Sequence, residues 1–425
     1  MVDVVGSRHR VVIIGGGFGG LSAARHLRNE PVDVLLLDAN NFNVFTPLLY
    51  QVATAGLAAD DIAYALRGLF RRQRNIDVRM ARVTGVELDQ QIVHTEIGDP
   101  VRYDSLVIAA GAVSSTFGVA GATEHALHLK SLDDAIALRN HVLMRFEAVA
   151  NDPSLDVDGA LDVIVCGGGP TGVELAGALI ELYTKVLAKD FPHLDVRHAR
   201  VTLVEAADRL LGSFSSKSSA RALRTLTRRG VTVELGVGVE RVEAGAIKLV
   251  DGRTIVAGSI IWTTGVRGNP LATSLGLSMF KGDRIIVGDD LTVPGHPNVF
   301  AIGDIAANPG DLMAQVALPA MQQGEHAAAQ IGRCLRGLAT EPFRFHDLGT
   351  MATIGRQDAV AEFPNGLRLA GFIGWVAWLA LHIVRLVGVR NRASVFVNWA
   401  WNYLTYDRGS RLIAEPLRTP NRVDV

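Results

Sequence analysis

Apolar residues fall into short unbroken runs separated by glycine-rich turns and helical stretches, a spacing that predicts strands buried on both faces of a parallel sheet. The first run is Val11-Val12-Ile13-Ile14, followed by the turn Gly15-Gly16-Gly17-Phe18-Gly19-Gly20, a helical segment from Leu21 to Leu27 and a strand from Val34 to Leu37. The same order returns at Val163-Ile164-Val165-Cys166. It passes through Gly167-Gly168-Gly169-Pro170-Thr171-Gly172 and a helix from Val173 through Leu182 to the strand Val201-Thr202-Leu203-Val204. One βαβ unit is therefore written twice.

Three further apolar runs end in small residues: Asp104 to Gly111, Ser259 to Gly265, and Asn298 to Asp304. They complete an α/β reading with two Rossmann-like dinucleotide-binding domains. The expected organisation is a first domain in two pieces, residues 1–120 and 290–340, with a second inserted at 121–289. Residues 341–425 form a separate tail rich in Trp, Tyr and Arg.

In each turn the first glycine (Gly15, Gly167) permits the tight bend. The second (Gly17, Gly169) lets the backbone approach a pyrophosphate, and the third (Gly20, Gly172) lets helix and strand pack closely. Phe18, Gly19, Pro170 and Thr171 open the two helices, whose N-terminal amides and positive dipole ends favour phosphate. A carboxylate at the end of the next strand accepts hydrogen bonds from a ribose diol, and Asp38 and Glu205 hold those positions. Glu205 stands beyond the usual ~20 residues, which calls for an insertion, placed at Lys185 to Arg200. A carboxylate ~4 Å from a 2′-phosphate would repel it by several kcal/mol at an effective dielectric near 20. Glu205 thus favours NAD over NADP, with Arg209 close enough to offset part of that.

In the tail, Phe372, Trp375, Val376, Leu379, Ile383 and Leu386 recur at helical spacing while His382 and Arg385 share another face. An arginine at a bilayer centre costs about 2.5 to 3.5 kcal/mol. The amphipathic helix is therefore expected to lie in the interface, with Trp399, Trp401, Tyr403 and Tyr406 at headgroup level and Arg390, Arg392, Arg408 and Arg411 meeting anionic lipid. The same aromatic stripe also suits a dimer interface.

Composition sharpens this picture. The 42 basic and 43 acidic residues nearly cancel, to a formal charge of -1, so no electrostatic footprint for nucleic acid is present. Apolar residues reach 48% and mean hydropathy is +0.24, which again points to a membrane surface. Met1 to Arg10 leaves no room for the apolar core of a signal peptide, so the expected location is the cytoplasmic face of the cell membrane, held peripherally. Cys166 and Cys334 are far apart and suggest neither a disulfide nor a metal site.

The run Asn41-Phe42-Asn43-Val44-Phe45-Thr46-Pro47-Leu48-Leu49-Tyr50-Gln51-Val52-Ala53 resembles the flavin-covering segment of type II NADH dehydrogenases, the single-subunit NADH:quinone oxidoreductases. Gly167 to Gly177, with Glu174 within it, resembles their NADH motif. Ala301-Ile302-Gly303-Asp304 resembles the segment whose Asp contacts the FAD ribityl chain, and Met351 to Arg356 and the aromatic tail are similar too. The resemblance implies FAD on the first copy and NADH on the second. Asn41, Pro47, Gln51, Val83, Ala110, Gly111 and Asp304 join the FAD contacts, and Gly265 the NADH contacts. It also implies a membrane quinone as acceptor, no proton pumping, and a homodimer formed through C-terminal elements. Glu174, one turn into its helix, is expected to orient the reacting rings, and Gln322 and Gln323 to hold the quinone oxygen. Two positions depart from the family: Leu318 stands where the quinone motif has its first Gln, with Gln315 out of register, and Asn43 stands where His is usual.

Hydride transfer between nicotinamide and flavin needs stacking and exclusion of water more than an acid or base. A sulfide:quinone oxidoreductase or disulfide reductase would need redox cysteines near the flavin. A ferredoxin-type reductase would not need the aromatic tail. A flavin reductase or redox sensor with a non-quinone acceptor uses the same two nucleotide sites.

Overall fold

The unbroken apolar runs become the inner strands of two parallel sheets, where both faces are covered and no polar face is needed. In the computed structural model, which describes residues 8–194, 196, 199–405 and 408–413, contacts divide the chain into two units. The first unit comprises Met1–Val44, Tyr64–Val113 and Val266–Asp347; the second comprises Phe45–Ala63, Ser114–Gly265 and Leu348–Val425.

In the first unit, His9–Ile14 is flanked in parallel by Val32–Asp38, with Val12 opposite Leu35, and by Ser105–Ile108, with Val12 opposite Leu106. Ile76–Met80 and His296–Ala301 extend the sheet, and Thr292–Val293 closes its edge antiparallel, making six strands. The side chains of His9–Ile14 beyond Arg10 are buried throughout, which sets the core beneath the glycine turn.

In the second unit the order is Leu127–His128, Ser259–Trp262, Val163–Cys166, Val201–Glu205, Val231–Leu235, all parallel. Ligands of such sheets bind beyond the carboxyl ends of the strands where the order reverses. Both glycine turns leave the central strand at that edge.

The division differs from the expected one: the first boundary falls at 113/114 rather than 120/121, and Phe45–Ala63, expected in the first domain, belongs to the second unit. The second boundary falls at residues 265/266 rather than 289/290, because Arg284–Ile286 pairs with Ala306–Ala307 of the first unit. The tail is not a third body: Asp358–Glu362 packs against the helix Gly371–Arg385, and the strand Thr350–Gly355 lies on the helix Pro170–Leu182, so residues from 348 belong to the second unit.

Candidate active site

The two glycine turns share one hydrogen-bond design. In the first, the Gly16 amide donates to Asp38 Oδ2 at 2.6 Å and the Asn40 amide to Oδ1 at 2.7 Å. In the second, the Gly168 amide donates to Glu205 Oε2 and the Ala207 amide to Oε1 at 2.8 Å. Each strand-end carboxylate thus fixes the middle glycine of its turn. Burial raises the Asp38 carboxyl above the ordinary range, against the Asn40 and Gly16 amides that favour its anion. Gly15 and Gly167 need their glycines, at φ 103° and 118°. A Cβ on Gly20 would strike the Gly15 carbonyl oxygen, and one on Gly172 the Gly167 oxygen, whereas in front of Gly17 and Gly169 there is open space. The helices Phe18–His26 and Pro170–Leu182 have no side-chain cap and no acidic residue in the first turn, an arrangement that suits a phosphate at each helix N-terminus. Two dinucleotides fit these residues. The long spacing to Glu205 arises because Pro170–Leu182 runs on through a π turn, Tyr183–Leu187, and a further turn, Ala188–Asp190.

The second unit also contains a cavity of about 120 Å³. Glu174, Ala178 and Glu181 line it from one face of the Pro170–Leu182 helix; Tyr50, Gln51 and Thr54 come from the 45–63 segment, Thr353 and Arg356 from the strand region, and Trp375, Trp378, Trp399, Tyr403 and Arg408 from the tail. Glu174 is buried and its Oε1 accepts the Thr353 amide at 3.2 Å. Burial pushes its carboxyl up to about 8, more than the Thr353 amide and the nearby Trp378 indole, which favour the anion, can offset. Glu181 is paired instead: it takes the Arg356 amide at 2.6 Å, Arg229, and Arg408 at 3.6 Å. Gln51 accepts Trp399 Nε1 at 2.7 Å and donates to the Tyr50 hydroxyl at 2.9 Å.

Comparison with known proteins bears directly on this pair of turns and tail. Residues 9–329 match the pyridine nucleotide-disulphide oxidoreductase family and residues 347–406 the NDH2 C-terminal domain. A type II NADH:quinone oxidoreductase of Mycobacterium tuberculosis is 39% identical, over 98% of this chain and 91% of its own. The chain belongs to the type II NADH:quinone oxidoreductases. A Staphylococcus aureus type II NADH:quinone oxidoreductase is 31% identical over 83% of this chain and 89% of its own. The solved structure of NDH2 from Plasmodium falciparum in complex with NADH has the same fold, with TM-score 0.84 at 18% identity, covering 96% of this chain and all of that one. A sulfide:quinone oxidoreductase of Aquifex aeolicus shares the fold with TM-score 0.71 at 20% identity. Cys166 in this type II enzyme is a buried thiol pushed up to about 12, far from the range of a reactive cysteine.

The sequence-derived site residues of this type II enzyme divide between the units. Gly15, Gly17, Phe18, Gly19, Gly20, Asp38, Asn41, Val83, Ala110, Gly111 and Asp304 lie in the first, with Gln322 and Gln323; Pro47, Gln51, Glu174 and the second turn with Glu205 and Gly265 lie in the second. Asn43, where His is usual, donates to the Gly16 carbonyl at 2.9 Å and so braces the turn from within. Gln322 does not offer a free amide: its Nε2 donates to the His346 carbonyl at 2.8 Å and its Oε1 accepts the His346 amide at 2.9 Å. Gln323 Oε1 accepts the Gly303 amide at 2.6 Å, beside Asp304. Gln315 precedes the helix Ala317–Leu335 and donates to the Asp304 carbonyl, so it does not stand in for Leu318.

The tail corrects several expectations. On Gly371–Arg385 the inward stripe is Gly371, Gly374, Trp378 and His382, while Phe372, Ile373, Val376 and Val384 are exposed; His382, read as polar-faced, stacks on Trp378 and meets Phe45 edge-on. Trp399 faces Gln51 rather than a headgroup, and Arg408 is buried on Glu181 and the Thr54 carbonyl rather than free for lipid. Arg411 pairs with Asp190, and Arg392 closes the carbonyls of Val384 and Leu386. Tyr406 lies outside the described residues. The helix Val389–Thr405 is inside out: Asn391 donates to the carbonyls of Asp60, Asp61 and Ala63, Ser394 and Asn398 to buried Asp61, and Asn402 to Gly56. Its outer face carries Val389, Phe396, Val397, Trp401 and Leu404.

Sequence reasoning missed Tyr50, Asp61, Glu181, Trp378 and Arg408. Glu181 had a signal: two carboxylates seven residues apart share one face of an otherwise apolar helix.

Proposed function

We propose that this chain oxidises NADH at the Gly167–Gly172 turn and delivers the electrons to a membrane quinone through FAD held at the Gly15–Gly20 turn. The observation that carries this is the repeated carboxylate-to-glycine geometry at Asp38 and Glu205, together with the aromatic cavity around Glu174. Bound FAD supplies the two-electron carrier that accepts hydride from NADH and gives electrons to the quinone. The chain's own part is to bind and to hold protons. Gly15, Gly17, Phe18, Gly19 and Gly20 form the turn and helix start that cradle the FAD pyrophosphate, Gly15 by its bend, since its own amide goes to the Leu37 carbonyl. Asp38 takes its ribose, and Asn41, Pro47, Gln51, Val83, Ala110, Gly111 and Asp304 complete its contacts. Gly167, Gly169, Pro170, Thr171 and Gly172 form the corresponding cradle for the NADH pyrophosphate, with Glu205 at its ribose and Gly265 beside it.

The quinone ring is assigned to the cavity lined by Tyr50, Glu174 and Trp378, where Glu174 keeps a proton up to about pH 8. Gln322 and Gln323, engaged with His346 and Gly303, serve by holding the loop at Asp304 and the chain at 346. No described helix is long and apolar enough to cross a membrane. The outward apolar faces of both tail helices instead suit insertion into one leaflet, on the cytoplasmic side, and the same region is proposed to pair two copies.

The test is anaerobic flavin bleaching by NADH, then steady-state NADH oxidation with and without menadione, on the intact chain and on one ending before Gly371. The reading requires bleaching followed by quinone-dependent turnover, with membrane binding lost in the shorter chain. Bleaching without turnover refutes it in favour of a sensor.

A further inference from the structure

Trp378 is held more tightly than packing of a tail helix requires. Gly374 brings that helix so close that a Cβ there would lie 2.8 Å from the Ala359 carbonyl oxygen. The indole stacks on His382 with centroids 3.9 Å apart and planes at 23°, and meets Tyr50 at 6.4 Å and 61° and Trp399 at 5.8 Å and 40°. Its ring is 1% exposed and lines the cavity. Its Nε1 is buried with no acceptor in hydrogen-bond geometry; the Glu174 carboxyl is its nearby neighbour and feels the indole, but the two are not aligned as a hydrogen bond. A buried donor left unmade costs about 1 to 3 kcal/mol, so native proteins keep few of them, and one carried by a side chain that lines a cavity points to a ligand.

The surroundings define that ligand's chemistry. The Gln51 amide is taken up by Trp399 and Tyr50, Asn402 Nδ2 by the Gly56 carbonyl, Thr54 Oγ1 by the Tyr50 carbonyl, and Glu181 by Arg356, Arg229 and Arg408. A cation would face an N–H donor and the Arg408 guanidinium. A flat neutral acceptor suits the aromatic walls formed by Tyr50, Trp378 and Trp399.

We propose that the indole N–H of Trp378 is the hydrogen-bond donor that this cavity offers to a ring carbonyl of the quinone, an inference that rests on the cavity being the quinone site. Glu174 beside it stays neutral up to about pH 8, so the carbonyl lone pair is not opposed by a carboxylate. His382, pushed down to about 4 by burial, is a neutral platform that keeps the indole plane fixed without adding charge.

The test has two arms on the flavin-loaded full chain. In protein labelled with 15N at its five tryptophans, the Trp378 indole resonance, assigned by its absence in Trp378→Phe, is followed as menadione or ubiquinone-1 is added. A downfield proton shift that saturates with quinone is expected. In steady state, Trp378→Phe keeps an aromatic ring but loses the donor, and the KM for quinone is expected to rise about 3- to 10-fold, the worth of one neutral hydrogen bond. The KM for NADH and the flavin content are measured alongside as the quantities misfolding would move. An indole resonance that ignores saturating quinone, or that moves only as Glu174 titrates, overturns the assignment. So does an unchanged quinone KM. If the wild-type chain turns over quinone while both arms are flat, only this inference falls; absence of wild-type turnover removes the quinone reading itself. If Trp378→Phe does not fold, the wild-type titration decides, with assignment by elimination from phenylalanine variants of the other four tryptophans.

Discussion

Glu174 makes stability depend on pH in a way one substitution should erase. Its carboxyl stands near 8 in the fold against an ordinary 4.5, with burial as the main cause. Between those values the unfolded chain has lost the proton that the folded chain still holds, so the folded state binds more protons and stability falls as pH rises. A raised carboxyl therefore stabilises nothing extra at low pH and weighs against folding progressively from about 4.5 until it too ionises near 8. Integrated from pH 5 to pH 8, the loss is about 3 to 4 kcal/mol. Tyr50, the nearest other buried acid, is pushed well above its ordinary range and does not titrate in this window. Glu174→Gln keeps the Thr353 amide satisfied through its carbonyl oxygen but has no proton to lose. Wild type and variant should unfold at similar temperatures at pH 5 and diverge steadily, the variant ending more stable by about 4 °C at pH 8. Thermal unfolding of the flavin-loaded chain by tryptophan fluorescence, at half-unit steps of pH, measures this. A gap that stays constant across the range would show that Glu174 is ionised in the fold and refute the reasoning.

Gly20→Ala and Gly172→Ala each drive a methyl into the carbonyl of their own turn. The first should yield protein without yellow colour, the second yellow protein that NADH no longer bleaches; absorbance at the flavin band reads both. Glu205→Gln removes the charge opposing a 2′-phosphate while an oxygen remains for the Gly168 amide. The NADPH to NADH ratio of kcat/KM should rise by about tenfold or more, and an unmoved ratio would displace Glu205 from the ribose. Asn391→Ala leaves the carbonyls of Asp60, Asp61 and Ala63 without their donor and should cost about 1 to 3 kcal/mol. Limited proteolysis should then release the tail sooner, with quinone turnover falling more than flavin bleaching.

Both nucleotide turns were legible in the primary structure because every part of them is local. Gly15 to Asp38 is one contiguous βαβ unit, and the demands of tight bend, close approach and strand-end carboxylate each fall on a single residue. Glu205 was legible despite its distance, since lengthening a helix does not move the strand end that follows. The tail was not. Hydropathy tells that a helix has two faces but not which one meets protein, and Val389–Thr405 turns its polar face inward to pair with the carbonyls and carboxylate of residues 56–63. Arg408 and Trp399 were read as lipid-facing for the same reason, although their partners Glu181 and Gln51 lie some hundreds of positions away. The cavity itself is made by four stretches remote in sequence, and Glu174 acquires its proton, and Trp378 its unpaired donor, only from burial there. Local chemistry is written in order along the chain, whereas burial and partnership arise from which distant segments pack together, and those decide charge state and which face is free.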